Sequence, residues 1–455
     1  MKQLIRFLLT GFVLISGTYY TFSQGNTRPE GSWYGLLNVQ GTELKLVFHI
    51  VSENNVFSAK MDSPDQQAFG IPVNSVSYSN SMVKIKIEQA SIEYTGVFTG
   101  DKIMGTFKQG GASFPLNLSR RAFEAPKRPQ EPSKPYPYIT EEVFFPNVQD
   151  SIVLSGTLSI PQNTKISAVV VLISGSGIQN RDSEIMGHKP FLVISDYLVR
   201  RGIAVLRYDD RGAGKSGGNP ALSTTSDFAK DVNAALNYLK SRDDLIGAKF
   251  GMIGHSEGGI IAPMVTSKYN NADFMVLLAA PAECGSEIIV EQQRMIAAAS
   301  GVSQIQLDAY EKTSRELFDL IKMNLQSENL LEVVGEFMKK NSPEESDSNI
   351  RVQARGIVNP WMLEFLFYDP VEALKNSNIP ALALNGDLDL QVPSDNLDKI
   401  KDVYGNKEAI TVMKIEGVNH LFQNTKTGLP SEYSKIEETF SEKVLKIIAD
   451  WILGL

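Results

Sequence analysis

Six apolar runs without alternation constrain the larger part of this chain more than any other feature. Ala168–Ile173 reads AVVVLI, and 203–206, 250–253, Phe274–Leu278, 380–384 and Ile410–Ile415 are similar. A strand with one wet face alternates apolar and polar residues, whereas one that is apolar throughout is covered on both faces, as in a parallel sheet. Helical patterns lie between the runs, at 191–200, 228–239, 259–267 and 434–453. Strand and helix in alternation predict an α/β fold with a doubly wound, mostly parallel sheet. Residues 286–359 interrupt the alternation with amphipathic helical stretches between the fifth and sixth runs. A helical cap is expected there, over the strand ends where open α/β sheets bind ligands.

The chain before these runs has a different character. Between Gly31 and Leu118, the segments 44–51, Met82–Ile87, 94–98 and 114–118 alternate or are rich in β-branched residues, and turn signals such as Glu53-Asn54-Asn55 and Gln109-Gly110-Gly111 separate them. This predicts a small antiparallel β domain over residues 25–120. Pro126, Pro129, Pro132, Pro135 and Pro137 then fall within twelve residues. Such a stretch cannot be helical, so 121–140 is expected to be a spacer and 141–455 the α/β domain.

Residues 1–24 have the layout of a secretory leader: Lys2 and Arg6, an apolar run over 7–15, then small and polar residues. The apolar core is short for a membrane span. Cleavage is expected near Ser23–Gly25, giving a secreted or periplasmic protein with no membrane attachment. Removing Lys2 and Arg6 takes the formal charge from −8 to −10, which disfavours nucleic acid or an anionic membrane as partner. Cys284 is the only cysteine in the 455 residues, so an internal disulfide and a Cys–His metal site are excluded.

Gly254-His255-Ser256-Glu257-Gly258 follows the run at 250–253 and precedes a helical pattern. A G-x-S-x-G sequence on a sharp strand-to-helix turn exposes a nucleophilic serine at the sheet's carboxyl edge. A serine hydroxyl needs a base, and only four histidines exist. His49 lies in the β domain, His255 adjoins the serine, and His188 precedes it. His420 alone satisfies the chain order serine, acid, histidine. Asp387 and Asp389 both end the strand at 380–384 and both qualify as the acid. The oxyanion formed on attack needs two amide donors. One is Glu257; the other comes from Ser174-Gly175-Ser176-Gly177, as Ser176 or Gly177. Residues 212–216 lack the first glycine of a phosphate loop, and 175–180 lack the third glycine of a dinucleotide fingerprint. The segment 207–212 (RYDDRG) reads as a buried ion-paired turn supporting the serine. Trp361, Met362, Leu363 and 365–368 fit either an acyl pocket or plain helix core.

The segments 171–182, 205–216, 254–259, 385–393 and 417–423 together resemble secreted bacterial α/β-hydrolases of the EstD carboxylesterase type, in the serine aminopeptidase-like branch. The resemblance covers nearly the whole chain after the leader. It assigns the acid to Asp389, three residues after Gly386 and before x-x-Val-Pro. It implies hydrolysis of short-acyl esters through Ser256, His420 and Asp389, with a small-molecule ester substrate and no cofactor or metal. A peptidase or amidase using the same triad is the alternative. A non-catalytic envelope or glycan-binding protein is a third reading, against which the complete triad argues.

Overall fold

The computed structural model describes residues 28–455 apart from 40–41, 65–67, 110 and 124–126. The expected leader lies outside the described residues. No helix among the described residues is long and apolar enough to cross a membrane. The chain divides into two compact units, 1–126 and 127–455.

The first unit is a single antiparallel sheet. It is built from β1 (Gly31–Val39), β2 (Thr42–Glu53), β3 (Val56–Ser63), β4 (Ala68–Pro72), β5 (Ser75–Ser79), β6 (Met82–Ile87), β7 (Ile92–Phe98), β8 (Lys102–Gln109) and β9 (Ala112–Ser119). The order is β4-β3-β2-β1-β9-β8-β7-β6-β5. Between β4 and β5, the amides of Val73 and Asn74 reach the carbonyls of Ala59 in β3 and Lys86 in β6. These bonds draw the two ends of the sheet together into a half-barrel. Inward residues alternate along each strand, and Trp33, Phe48, Tyr94 and Phe107 fill the interior.

The second unit is built on an eight-stranded sheet of order β10-β11-β13-β12-β14-β15-β16-β17. The strands are β10 (Ile139–Asn147), β11 (Ile152–Ile160), β12 (Ala168–Ile173), β13 (Ile203–Tyr208), β14 (Lys249–His255), β15 (Phe274–Leu278), β16 (Ala381–Gly386) and β17 (Ile410–Ile415). The last six are parallel, while β10 pairs antiparallel with β11 and β11 antiparallel with β13. The sheet is therefore mixed, mostly parallel as expected, with an antiparallel part the sequence reading did not include. The hairpin before the first apolar run adds two strands at one edge.

The absence of alternation in β12 has a direct cause. Val169 and Val171 enter the core beneath α2 (Thr225–Lys240), α3 (Gly258–Tyr269) and α10 (Asn396–Val403). Val170 and Leu172 enter the opposite core, beneath α1 (Pro190–Arg200) and α12 (Glu442–Leu453). Each such side chain contributes about 1.5–3 kcal/mol of burial. Between β15 and β16 come α4 (Gly285–Ala299), α5 (Gln304–Met323), α6 (Leu330–Asn341), α7 (Asp347–Ile357), α8 (Pro360–Phe367) and α9 (Val371–Lys375). This insertion has a core of its own around Phe318, Ile321 and Val334.

One expected helix is shorter than its pattern. Residues 434–441 are irregular between α11 (Pro430–Tyr433) and α12. The Gln130 carboxamide accepts from the amides of Thr439 and Phe440 and donates to the Phe440 carbonyl, replacing the helical bonds. Arg128 donates to the carbonyls of Ser434 and Ile436. The Pro-rich stretch from residue 127 onward is thus bound into the second unit.

A buried ion pair closes the β13 end of the sheet. Arg211 contacts Asp231 at 2.6 and 2.8 Å and Asp150 at 2.8 Å, and Asn147 donates to Asp231 at 2.7 Å. Asp231 is fully buried. Arg211→Met would strand that carboxylate, and we expect a loss of about 3–5 kcal/mol. The check is a lower denaturant midpoint at unchanged slope in equilibrium unfolding.

Candidate active site

Ser256 stands in the turn between β14 and α3 with φ of +55°, a left-handed conformation that strains a serine. The turn is tight enough to exclude side chains at its flanks. A Cβ on Gly254 would lie 2.1 Å from the Gly258 carbonyl oxygen, and one on Gly258 2.3 Å from that of Ile173. The Ser256 amide is held by the Leu278 carbonyl at 2.8 Å.

His420 lies in the loop after β17. Its Nδ1 is 2.8 Å from Asp389 Oδ2, and both side chains are buried. The other oxygen of Asp389 accepts from the amides of Gln391 and Val392. Asp387 instead accepts from the Gly417 amide at 2.7 Å, which fastens the turn. Ser256 and His420 line one cavity of about 120 Å³, with Ser176, Gln179, Ile185, Phe191, Ile194, Gln391, Leu421 and Phe440 among its walls. Ser176 lines it and Gly177, at φ of +88°, does not. Among the described residues, no group engages the backbone amides of Ser176, Gly177 or Glu257.

The other histidines have structural surroundings. His255 donates from Nε2 to the His420 carbonyl at 2.8 Å, and its ring stands 4.8 Å from that of His420. Burial, together with the neighbouring imidazole, pushes its pKa down to about 3, so it stays neutral and adds no charge beside His420. His188 is buried against Thr439 and the Tyr433 carbonyl, and burial lowers its pKa to about 4. His49 bridges Ser32, at 2.9 Å from Nδ1, and Asp62, at 2.8 Å from Nε2. This second Ser-His-Asp row lies on the outer face of the half-barrel, where the strand ladders take up the amides around Ser32 and His49.

The RYDDRG turn supports a different loop from the one expected. Asp209 binds the guanidinium and the amide of Arg181, and Arg207 pairs with Asp182. The Ser174 hydroxyl lies 2.9 Å from both carboxyl oxygens of Asp210, the Gln179 amide donates to Asp210, and the Asp210 amide donates to the Gln179 carbonyl. The turn therefore fastens residues 174–182, the loop after β12, rather than the serine turn itself. Two acids in succession at a buried strand end were the available signal.

Trp361, Met362 and 365–368 do not line the cavity. Trp361 stacks on Phe365 and both belong with the core, as do Met362 and Tyr368. Sequence reasoning found Ser176, Ser256 and His420 but missed the walls from the loop before α1 and α1 itself, and Gln391, Leu421 and Phe440. No His, Cys, Asp or Glu group among the described residues is arranged to hold a metal.

The profile of the serine aminopeptidase S33 family matches residues 187–328. Esterase EstD of Thermotoga maritima is 24% identical over 303 residues, which are 66% of this chain and 65% of that protein, just under two thirds of the relative's length. The chain is similar to the EstD-type esterases. Among solved structures, the Pyrococcus furiosus esterase Pf2001 is 14% identical with a TM-score of 0.45, covering 74% of this chain and 99% of that one. Est1E from Butyrivibrio proteoclasticus, with ferulic acid bound, is 15% identical with a TM-score of 0.38, covering 69% and 96%. Proline iminopeptidase of Mycobacterium smegmatis is 13% identical with a TM-score of 0.42, covering 69% and 98%.

Burial, with the charges of Asp231 and Glu257 nearby, pushes the Asp210 carboxyl up to about 8. Between the ordinary carboxylate range and about 8, the folded chain holds a proton that the unfolded chain has released. Stability contributed at this position therefore falls as pH rises through that window. Asn at 210 can accept from Gln179 and donate to Ser174 without any ionisation. The melting temperature of Asp210→Asn relative to the parent is expected to rise steadily from pH 5 to pH 8, as thermal melts across that range would measure.

Proposed function

We propose that this chain is a secreted or periplasmic serine hydrolase that transfers the acyl group of a carboxylic ester to water. Ser256 is the nucleophile, His420 the general base and Asp389 the acid that orients it. The Ser256 oxygen attacks the ester carbonyl carbon while its proton passes to His420 Nε2, the nitrogen that Asp389 leaves free. The resulting oxyanion accepts from the Glu257 amide and from that of Ser176 or Gly177. Collapse expels the alkoxide, which takes the proton from His420, and leaves an acyl-serine. Water then attacks the acyl carbon, with His420 again removing and returning a proton, and the free acid departs. The chemistry calls for no metal or organic cofactor.

The observation that carries this reading is the Asp389–His420 pair and the strained Ser256, with Ser256, His420 and Ser176 lining one cavity. The half-barrel, the leader and the insertion are assigned packing, export and capping in this reading. An aminopeptidase would need an anionic group in the cavity to hold a substrate ammonium. The cavity walls contain no Asp or Glu, and the Glu257 carboxylate is already taken by Thr225 and Trp361. Ester hydrolysis is favoured on that ground. The test is Ser256→Ala against a panel of acyl and aminoacyl substrates, with fluorophosphonate labelling of the parent. We expect loss of at least about a thousandfold in kcat on p-nitrophenyl acetate and loss of labelling. An alanine variant at the parental rate would overturn the assignment.

The cavity also bears on acyl length. At about 120 Å³ it is smaller than the roughly 150 Å³ space that holds a benzene ring. A short acyl chain fits against Ile185, Phe191 and Ile194. Ile185 is only partly buried, so its truncation does little to the fold. Ile185→Ala should raise the ratio of kcat/KM for the hexanoate over the butyrate ester roughly tenfold, at about 0.8 kcal/mol for each added methylene. An unchanged ratio would put the acyl chain elsewhere.

A further inference from the structure

Glu257 has two parts with different tasks in the serine hydrolase reading, and only its amide has been given one so far. Its side chain is 1% exposed and does not line the cavity. The carboxylate accepts from the Thr225 hydroxyl at 2.7 Å and from the Trp361 indole, which is 3.0 and 3.1 Å from its two oxygens. These donors come from two different elements. Thr225 opens α2, and Trp361 is in α8 as the chain returns from the insertion.

A second contact closes the ring. One turn on from Trp361, Glu364 accepts from the amide of Ser226 at 2.9 Å and from its hydroxyl. Ser226 adjoins Thr225, whose position is fixed by the capping box of Thr224 and Asp227. Helix α8 is thus pinned at two points, once to Glu257 and once to the start of α2. Both groups facing Glu257 are donors, and its carboxyl oxygens can accept from each of them. A glutamine would turn an NH₂ toward at least one donor and lose that bond.

We propose that the Glu257 side chain is a positioning residue, which ties helix α8 and the start of α2 to the serine turn and thereby holds the Glu257 amide, one of the two oxyanion donors, at its working position. The inference rests on the serine hydrolase reading of the site. It goes beyond that reading by making the insertion's return helix a support of the oxyanion site. An amide aimed at a developing charge loses effect with small displacements, so loosening this strut slows the chemical step while leaving ground-state binding nearly intact.

The experiment is steady-state hydrolysis of p-nitrophenyl acetate, with fluorophosphonate labelling rates and thermal melts on the same samples. Glu257→Gln should lower kcat roughly ten- to a hundredfold with KM within about twofold, and slow labelling in proportion. A Glu257→Gln protein that melts cooperatively and keeps the parental kcat overturns the proposal. Trp361→Phe, which removes one donor and keeps an aromatic ring, covers the case in which the first variant does not fold. It should lower kcat several-fold at unchanged KM, and a parental kcat overturns the proposal equally. A parent protein that neither turns over the ester nor takes the label would instead overturn the serine hydrolase reading.

Discussion

The site depends on how closely three pieces of backbone can approach. The serine turn, the end of β12 and the first turn of α3 meet where a Cβ on Gly258 would stand 2.3 Å from the Ile173 carbonyl oxygen. No side chain fits there, so glycine on either side of the turn is a steric requirement. That contact places Ser256 over the strand ends in a conformation the residue would not choose alone. The strain is sustained because the sheet beneath is buried on both faces and the α3 helix continues straight into the core. The sheet is thus a condition for the Ser256 turn, and not a neutral platform for it.

Around that turn, polar groups do what apolar packing cannot. Loops that present free amides to a cavity cannot pair those amides with their own neighbours, so something else must hold them. Asp209 and Asp210 do this for residues 174–182 through Arg181, Ser174 and Gln179. The Asp389 carboxylate does it for His420, with two backbone amides fixing the carboxylate in turn. Burial makes each of these bonds count for more, and makes each unpaired member costly. A cluster of acids next to the site is therefore compatible with a cavity whose own walls carry no Asp or Glu.

Much of this was legible from residue pattern. The six apolar runs marked six strands, and elimination among four histidines left His420. Asp389 over Asp387 needed the resemblance, since both end the same strand; the difference lies in where each oxygen points, which spacing does not encode. The edge hairpin β10–β11 was missed because polar residues interrupt both of its strands, so neither reads as an unbroken apolar run. The helix expected over 434–453 was cut short by Gln130, a residue some three hundred positions away in sequence, and local propensity cannot register such a partner. The other cavity walls were missed for a similar reason. Aromatic residues at 361–368 have the composition of a pocket, but Trp361 and Phe365 stack on one another in the core, while the missed walls are single residues such as Ile185, Phe191, Ile194 and Phe440 scattered over separate segments.

The half-barrel supplies a comparison within one chain. Ser32, His49 and Asp62 are linked by hydrogen bonds of 2.9 and 2.8 Å, as short as the Asp389–His420 bond. Three strands in register are enough to bring them together, because neighbouring positions on one sheet face lie within side-chain reach. Yet their serine is in ordinary extended backbone, their amides are spent on the ladders, and the imidazole faces water. A hydrogen-bonded trio of the right residue types is thus inexpensive for a sheet to make. What distinguishes Ser256 is the rest: a turn that frees amides from secondary structure, a cavity, and buried acids that keep the neighbouring loop in place. That distinction is why the weight of the functional reading falls on the elbow and its supports, and not on the three residue names alone.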